Sequence, residues 1–245
     1  MKRLRAANAL DAKTQERLLN TIAEQMKLPF LQIARSAELA RLGTSSKAAL
    51  DNIELAADGA LKLLDNYLLG TKLSQAGEEL KLEPLSIAEI LNGTAHALDK
   101  VAKKYGCGLQ LHLAGRYEPV MAHRAGLEAA LTSLGQVFIE AAAAAEGQAK
   151  PFIKLAAHRS KVGIVAGMFT GAEGLSAEVY RRARGLYGQA RQPLNQLTHG
   201  SGAGIFIADL LLSAMATRLR IAHHQKMTGL AATFMPSRQL GFAGL

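Results

Sequence analysis

Two apolar stripes dominate the first third of the chain. Leu18, Ile22, Met26, Pro29 and Ile33 recur at steps of three and four residues, and so do Ile53, Ala57, Ala60, Leu64, Tyr67 and Thr71. That spacing predicts two long amphipathic helices over residues 10 to about 76. Between them, Gly43-Thr44-Ser45-Ser46 supplies a glycine to end the first helix and hydroxyls to cap the second, which makes an αα-hairpin. Each stripe is too long for a single partner helix to cover. Two hairpins side by side would bury both, so the pattern predicts a homodimer built on a four-helix bundle.

Pro29 lies inside the first of these helices, in EQMKLPFLQI. Proline there removes a backbone donor and crowds the preceding turn, at a cost of about 3 kcal/mol. Glu24, two residues after Ile22 and two before Met26, is expected to point about 200° away from the stripe, into solvent.

The polar, proline-containing GEELKLEP reads as a linker, dividing residues 1–77 from residues 78–245. Beyond it the periodicity alternates. Ser86 and Glu89 form a capping box, with Leu85 and Ile90 as a hydrophobic staple, and open a helix to about Tyr105. GLQLHLAG alternates as a strand, and residues 123 to 145 form an alanine-rich helix. PFIKLAAHRSKVGIVAGMF reads as a strand pair turning at Arg159-Ser160-Lys161. A helix follows Ser176, and a loose stretch runs to Thr198. A further helix spans 203 to 217, and RLRIAHH and GLAATFMP make a closing hairpin. Helices on one face of a mixed sheet define an α+β sandwich.

Composition narrows the function classes. With 245 residues, 49% of them hydrophobic, the chain has material for one large or two small cores. Cys107 is the only cysteine, which excludes an internal disulfide framework and suits a reducing cytoplasm. No run of eighteen apolar residues occurs, and the basic N-terminus MKRLRAANALDAK lacks the apolar core of a signal peptide. The sequence therefore predicts a soluble, cytoplasmic chain with no membrane segment of its own, and an upstream sensor or membrane region is compatible with it. The net charge of +9 points to an acidic partner. Aromatics make up only 5% and tryptophan is absent, so there is no stacking platform for single strands, and nucleic acid is the weaker choice.

A helix with a proline five residues after an outward-facing position, followed by a second helix, resembles the dimerisation and phosphoacceptor hairpin of sensor histidine kinases. Their motif His-Glu-Leu-Arg-Thr-Pro-Leu falls on Glu24-Gln25-Met26-Lys27-Leu28-Pro29-Phe30. The ending GSGAGIFIADLLLSAMATRLRIAHHQKMTGLAATFMP is similar to the family's glycine box, helix, strand and closing strand, with Gly200, Gly202 and Gly204 at the glycine positions. The resemblance covers about residues 10 to 240. It implies a histidine kinase ATPase-like domain, of the GHKL type, after the hairpin.

The residues that carry the family's chemistry differ. Glu24 stands at the phosphoacceptor position and Gln25 at the carboxylate that polarises it. Ser133 and Val137 stand at the two asparagines of the nucleotide-binding helix, the second of which holds Mg²⁺, and valine cannot ligate a hard cation. Thr170, in Thr170-Gly171-Ala172-Glu173-Gly174-Leu175, replaces the aspartate that reads the adenine amino group. The resemblance, with these departures, implies a degenerate, pseudokinase-like chain with no catalytic residue, no nucleotide and no metal. Its three glycines would then persist as a tight turn before a buried helix.

Other candidates carry less. His223 and His224 are adjacent on a strand and face opposite sides, so they cannot chelate one ion. His96, His112, His123, His158 and His199 lack ligand spacing. Cys107, between two glycines, has no nucleophilic partner and reads as structural. Arg181, Arg182 and Arg184, with Arg191, form the densest basic run, in the region of the family's nucleotide lid.

The functional expectation is a catalytically inactive, dimeric regulator of a two-component pathway. It would bind a response-regulator receiver domain or a sensor kinase through Glu24, Lys27 and the arginine run. The alternatives are an active or phosphotransfer kinase using non-standard residues, and a nucleic-acid-binding regulator acting through its basic surface.

Overall fold

The computed structural model describes residues 12–43, 46–76, 79–144, 151–171 and 202–237, with the side chains of residues 12–18, 21, 24, 25, 144, 202 and 203 outside the description. The hairpin expected from the stripes is present as α1 (Ala12–Arg41) and α2 (Ser46–Ala76). Helix α1 runs through Pro29. It packs along α2, so tertiary contact offsets the missing backbone hydrogen bond.

The two helices pack along each other and cover part of both stripes within one chain. Ile22 and Ala60 are buried at 4% and 5% exposure, and Met26, Pro29, Ile33, Ile53, Ala57, Leu64, Tyr67 and Thr71 are half-buried, all within one chain. Part of the cover comes from the C-terminal half, because α2 also rests on its helices.

The segment read as a linker does more than connect. Its end forms strand β1 (Glu83–Leu85), antiparallel to β3 (Val120–Ala122), with Leu85 opposite Val120 and both buried. Pro84 is tolerated because a two-stranded ribbon leaves one side of each strand without a ladder partner. The polarity of the segment hid the strand, and the burial of Leu85 is what stabilises it.

Helix α3 (Ile87–Lys104) begins as the capping box predicts, with the Ser86 hydroxyl accepting from the Glu89 amide at 3.3 Å. Leu85 and Ile90, the staple pair, are both buried. Lys103 and Lys104 in its last turn suit the negative end of the helix dipole. Strand β2 (Gly108–Leu113) and helix α4 (Arg124–Ala144) follow, then β4 (Phe152–Ser160) and β5 (Gly163–Thr170). The β4–β5 turn is shifted to Lys161 and Val162, because the ladder continues to Ser160 opposite Gly163. Helix α5 (Gly202–Ala214) stops three residues before the sequence boundary of 217. Strands β6 (Arg220–His224) and β7 (Met227–Phe234) close the chain. The expected helix after Ser176, the loose stretch to Thr198, Gly200 and the arginine run lie outside the described residues.

The main sheet has the order β2-β4-β5-β7-β6, with β2 parallel to β4 and every other pair antiparallel. Its inner face (Ile153, Leu155, Ile164, Met168 and Leu230 among others) packs under α3, α4 and α5 as one core. The alternate residues Ala156, Phe169, Met227 and Ala231 form a second, smaller cluster on the opposite face. The fold is α+β, a helical hairpin followed by a two-layer sandwich, as the periodicity predicts.

Candidate functional site

Helix α2 sits directly on the helix layer of the sandwich. Asn66 donates from Nδ2 to the Ser133 hydroxyl of α4 at 2.9 Å. Four residues on, Gly70 meets α5 so closely that a Cβ there would lie 2.7 Å from Leu210 Cδ2, and Leu73 beyond it is buried. Positions 66, 70 and 73 recur at helical spacing and form the docking face. At the rim Lys100 pairs with Glu54 at 3.4 Å, but both side chains are well exposed, so this pair adds little stability.

Beside this contact lies a cavity of about 530 Å³ between the hairpin and the sandwich. Helix α4 lines it with Ser133, Gln136, Val137 and Glu140; α3 contributes Val101, Lys104 and Tyr105. Leu55 and Leu63 of α2 and Leu28 and Pro29 of α1 close the other side, and Gly204 of α5 reaches its edge. The kinked segment of α1 therefore borders the cavity.

Ser133 and Val137, predicted from one motif, and Gly204, predicted from another, are brought together. All three are buried, and a Cβ at Gly204 would fall 2.5 Å from Val137 Cγ2 and 2.9 Å from the Ser133 carbonyl oxygen. Glycine is required here for helix-to-helix approach, in the first turn of α5 rather than in a turn before it. Ser133 spends its hydroxyl on Asn66. Thr170 is buried at the end of β5, where its hydroxyl donates to the Phe152 carbonyl at 3.3 Å, and it does not line the cavity. Glu24 and Gln25 lie on α1 with their side chains outside the description, and Lys27 is exposed. Gly202 opens α5, also without a described side chain. Arg181, Arg182, Arg184 and Gly200 fall outside the described residues.

The electrostatics of the cavity centre on Glu140, which sequence reasoning passed over. Burial pushes its carboxyl up to about 7, against the opposing effect of Gln136, whose Nε2 donates to it at 3.1 Å. Tyr105 is raised by burial and then by the charge of Glu140, and Lys104 is lowered by burial with Asp51 opposing. The signal for Glu140 was visible, since it is the lone charge in the apolar run LTSLGQVFIEAAAA. Cys107 is buried, with its thiol pushed up to about 11, which makes it inert as a nucleophile. Among the described residues no group of three or more His, Cys, Asp or Glu could hold a metal ion. No described helix is long and apolar enough to cross a membrane.

No family model matches the sequence, and no curated protein matches it. Solved structures do resemble its fold. The Acinetobacter baumannii histidine kinase AdeS superposes with a TM-score of 0.51 at 12% identity, covering 86% of this chain and 97% of that one. Full-length ShkA in complex with AMPPNP gives 0.55 at 17% identity over 91% of this chain, which matches 46% of that longer protein. A bacterial phosphotransferase gives 0.50 at 13% identity, covering 91% of this chain and 98% of that one. The class is thereby defined at the level of architecture. The chain has the fold of these histidine kinases, a helical hairpin joined to an α+β sandwich.

Proposed function

We propose that this protein is a catalytically inactive histidine-kinase-like regulator of two-component signalling. In this reading it works in the cytoplasm as a homodimer, by binding a receiver domain or a partner kinase. The observation that carries the proposal is the use made of the two asparagine positions. Ser133 is hydrogen-bonded to Asn66 of the protein's own hairpin, and Val137 is packed on Gly204. Val137, at the position that holds the metal in the family, offers no oxygen to Mg²⁺, which takes hard oxygen ligands in near-octahedral geometry. Thr170 turns its hydroxyl to a strand carbonyl.

Dimer formation draws support from apolar surface left over after the hairpin has packed. Leu50, Leu61 and Leu68 of α2 are each about 60% exposed, at separations of eleven and seven residues, three and two turns. Leu19 and Phe30 of α1 repeat the eleven-residue step and are equally exposed. The receiver would engage Glu24, Lys27 and the arginines at 181, 182 and 184.

Two measurements test the proposal. Mg-ATP at millimolar concentration is expected to leave the melting temperature unchanged, because only a ligand that binds the folded state raises it. A Mg²⁺-dependent upward shift with ATP, absent with Mg²⁺ alone, overturns the inactive reading. Glu24→Lys is expected to weaken capture of receiver domains from the same organism while altering stability by less than about 0.5 kcal/mol. Capture that survives Glu24→Lys but fails on charge reversal of the arginine run moves the contact to that run.

A further inference from the structure

Three histidines that sequence spacing left unconnected meet on the face of the sheet opposite α3, α4 and α5. His112 stands on β2, His158 on β4 and His224 at the end of β6. The strands β2 and β6 are opposite edges of the sheet, so a flat sheet would hold them four strand spacings apart. Small residues line the face between them, Ala156, Gly167, Gly229 and Ala231, and let the sheet coil until the β6–β7 tip reaches β2.

The contact is close. His224 Nε2 lies 2.8 Å from His112 Nδ1, with the two rings edge to face at 4.8 Å. His158 is 5.6 Å away, ring to ring, and its buried Nδ1 has no hydrogen-bond partner among the described residues. Phe169 packs against His224 at 5.2 Å, and Lys154 of β4 donates to Gln225 in the tip at 2.9 Å. Beneath lies the small cluster of Ala156, Phe169, Met227 and Ala231. Its neighbour His223 faces away and contacts Thr228.

We infer that His112, His158 and His224 form a proton-operated latch that holds the β6–β7 tip across the outer face of the sheet and releases it as the pH falls. The His112–His224 hydrogen bond needs one imidazole nitrogen to accept. When both rings are protonated, both nitrogens carry hydrogen and repel at this separation. Burial disfavours protonation of His224, and so does each of the charged and titratable groups acting on it, His112 of β2 and His158 and Lys154 of β4. Nothing opposes them among those groups, so the folded tip binds protons less readily than the unfolded chain. The latch is therefore intact above the ordinary histidine value of 6.5 and weakens as the pH falls below it. Release exposes Phe169 and Met227. The inference does not depend on the signalling reading.

Hydrogen exchange resolved along the full chain tests it, at pH 7.5 and pH 5.0, after correction for the intrinsic exchange rate. Loss of one hydrogen bond corresponds to about a threefold to tenfold rise in local opening. That loss of protection is expected in residues 221–229, with α3 and α4 unchanged. His224→Phe keeps a ring against Phe169 and cannot take a proton, so its protection should be the same at both pH values. His158→Gln removes one repelling group and leaves the His112–His224 pair, so its loss should be smaller than the wild type's. Equal protection of the wild-type tip at both pH values, or an undiminished loss in both variants, overturns the latch. So does zinc at pH 7.5 that raises the melting temperature of the wild type but not of His224→Phe, since the cluster would then be a metal site.

Discussion

Replacing Glu140 by glutamine should stabilise the protein, and more so the higher the pH. The carboxyl lies in the cavity wall, held up to about 7 by burial against an ordinary value of 4.5. In the unfolded chain it ionises near 4.5, so between these values the folded state binds more protons than the unfolded one. Stability from this group is complete below 4.5 and is lost as the pH rises through 7. The difference of roughly 2.5 units corresponds to about 3 kcal/mol at alkaline pH, at 1.36 kcal/mol per unit. Glutamine mimics the protonated acid, cannot ionise and can still accept from Gln136 Nε2, so it escapes that loss. Urea unfolding of both proteins at pH 5.0 and pH 8.5 measures the effect. The gap in favour of Glu140→Gln is expected to widen by about 2 kcal/mol between the two conditions, since part of the penalty is already present at pH 5.0. Other titrations, including the histidine cluster, are common to both proteins and cancel in the gap. A gap that is constant or narrows with pH refutes the reasoning, because Glu140 would then be solvated or paired in the folded state.

Gly204→Ala should destabilise by about 1–3 kcal/mol, the usual cost of overpacking, because its methyl meets Val137 and the Ser133 carbonyl; adding Val137→Ala should recover only the part due to the side chain, as read from melting temperatures. Leu61→Glu, on exposed surface, should change monomer stability by less than about 0.5 kcal/mol and yet abolish the proposed dimer, which light scattering at tens of micromolar tests. Asn66→Leu should cost about 1–3 kcal/mol by leaving the buried Ser133 hydroxyl unpaired, and Asn66→Leu combined with Ser133→Ala should be less destabilised than the sum of the single changes.

Local signals in this chain were legible where one residue's neighbours in sequence are also its neighbours in space. Ser86 and Glu89 lie one turn apart, so the cap could be read directly, and the structure has it. PFIKLAAHRSKVGIVAGMF could be read as a strand pair, and the structure has β4 and β5 there. The glycine series was legible as a helix start. Its purpose was not, because Gly204 is small on account of Val137 and Ser133, some seventy residues earlier. The β1 strand was hidden where the polar segment ends, because the partner of Leu85 is Val120, thirty-five residues on.

What the sequence determined by itself was the list of parts: two amphipathic helices joined by a glycine turn, a capped helix and alternating strands. Those follow from periodicity and local hydrogen bonding, which act over a few residues. The tertiary structure decided how the parts meet. It laid α2 on α4, so that Asn66 takes the Ser133 hydroxyl, and left Glu140 in a cavity wall where desolvation holds its proton. It also coiled the sheet until histidines at positions 112, 158 and 224 touched. Burial, proton affinity and contact between distant strands depend on the dielectric and geometry of the assembled molecule, and spacing along the chain encodes neither.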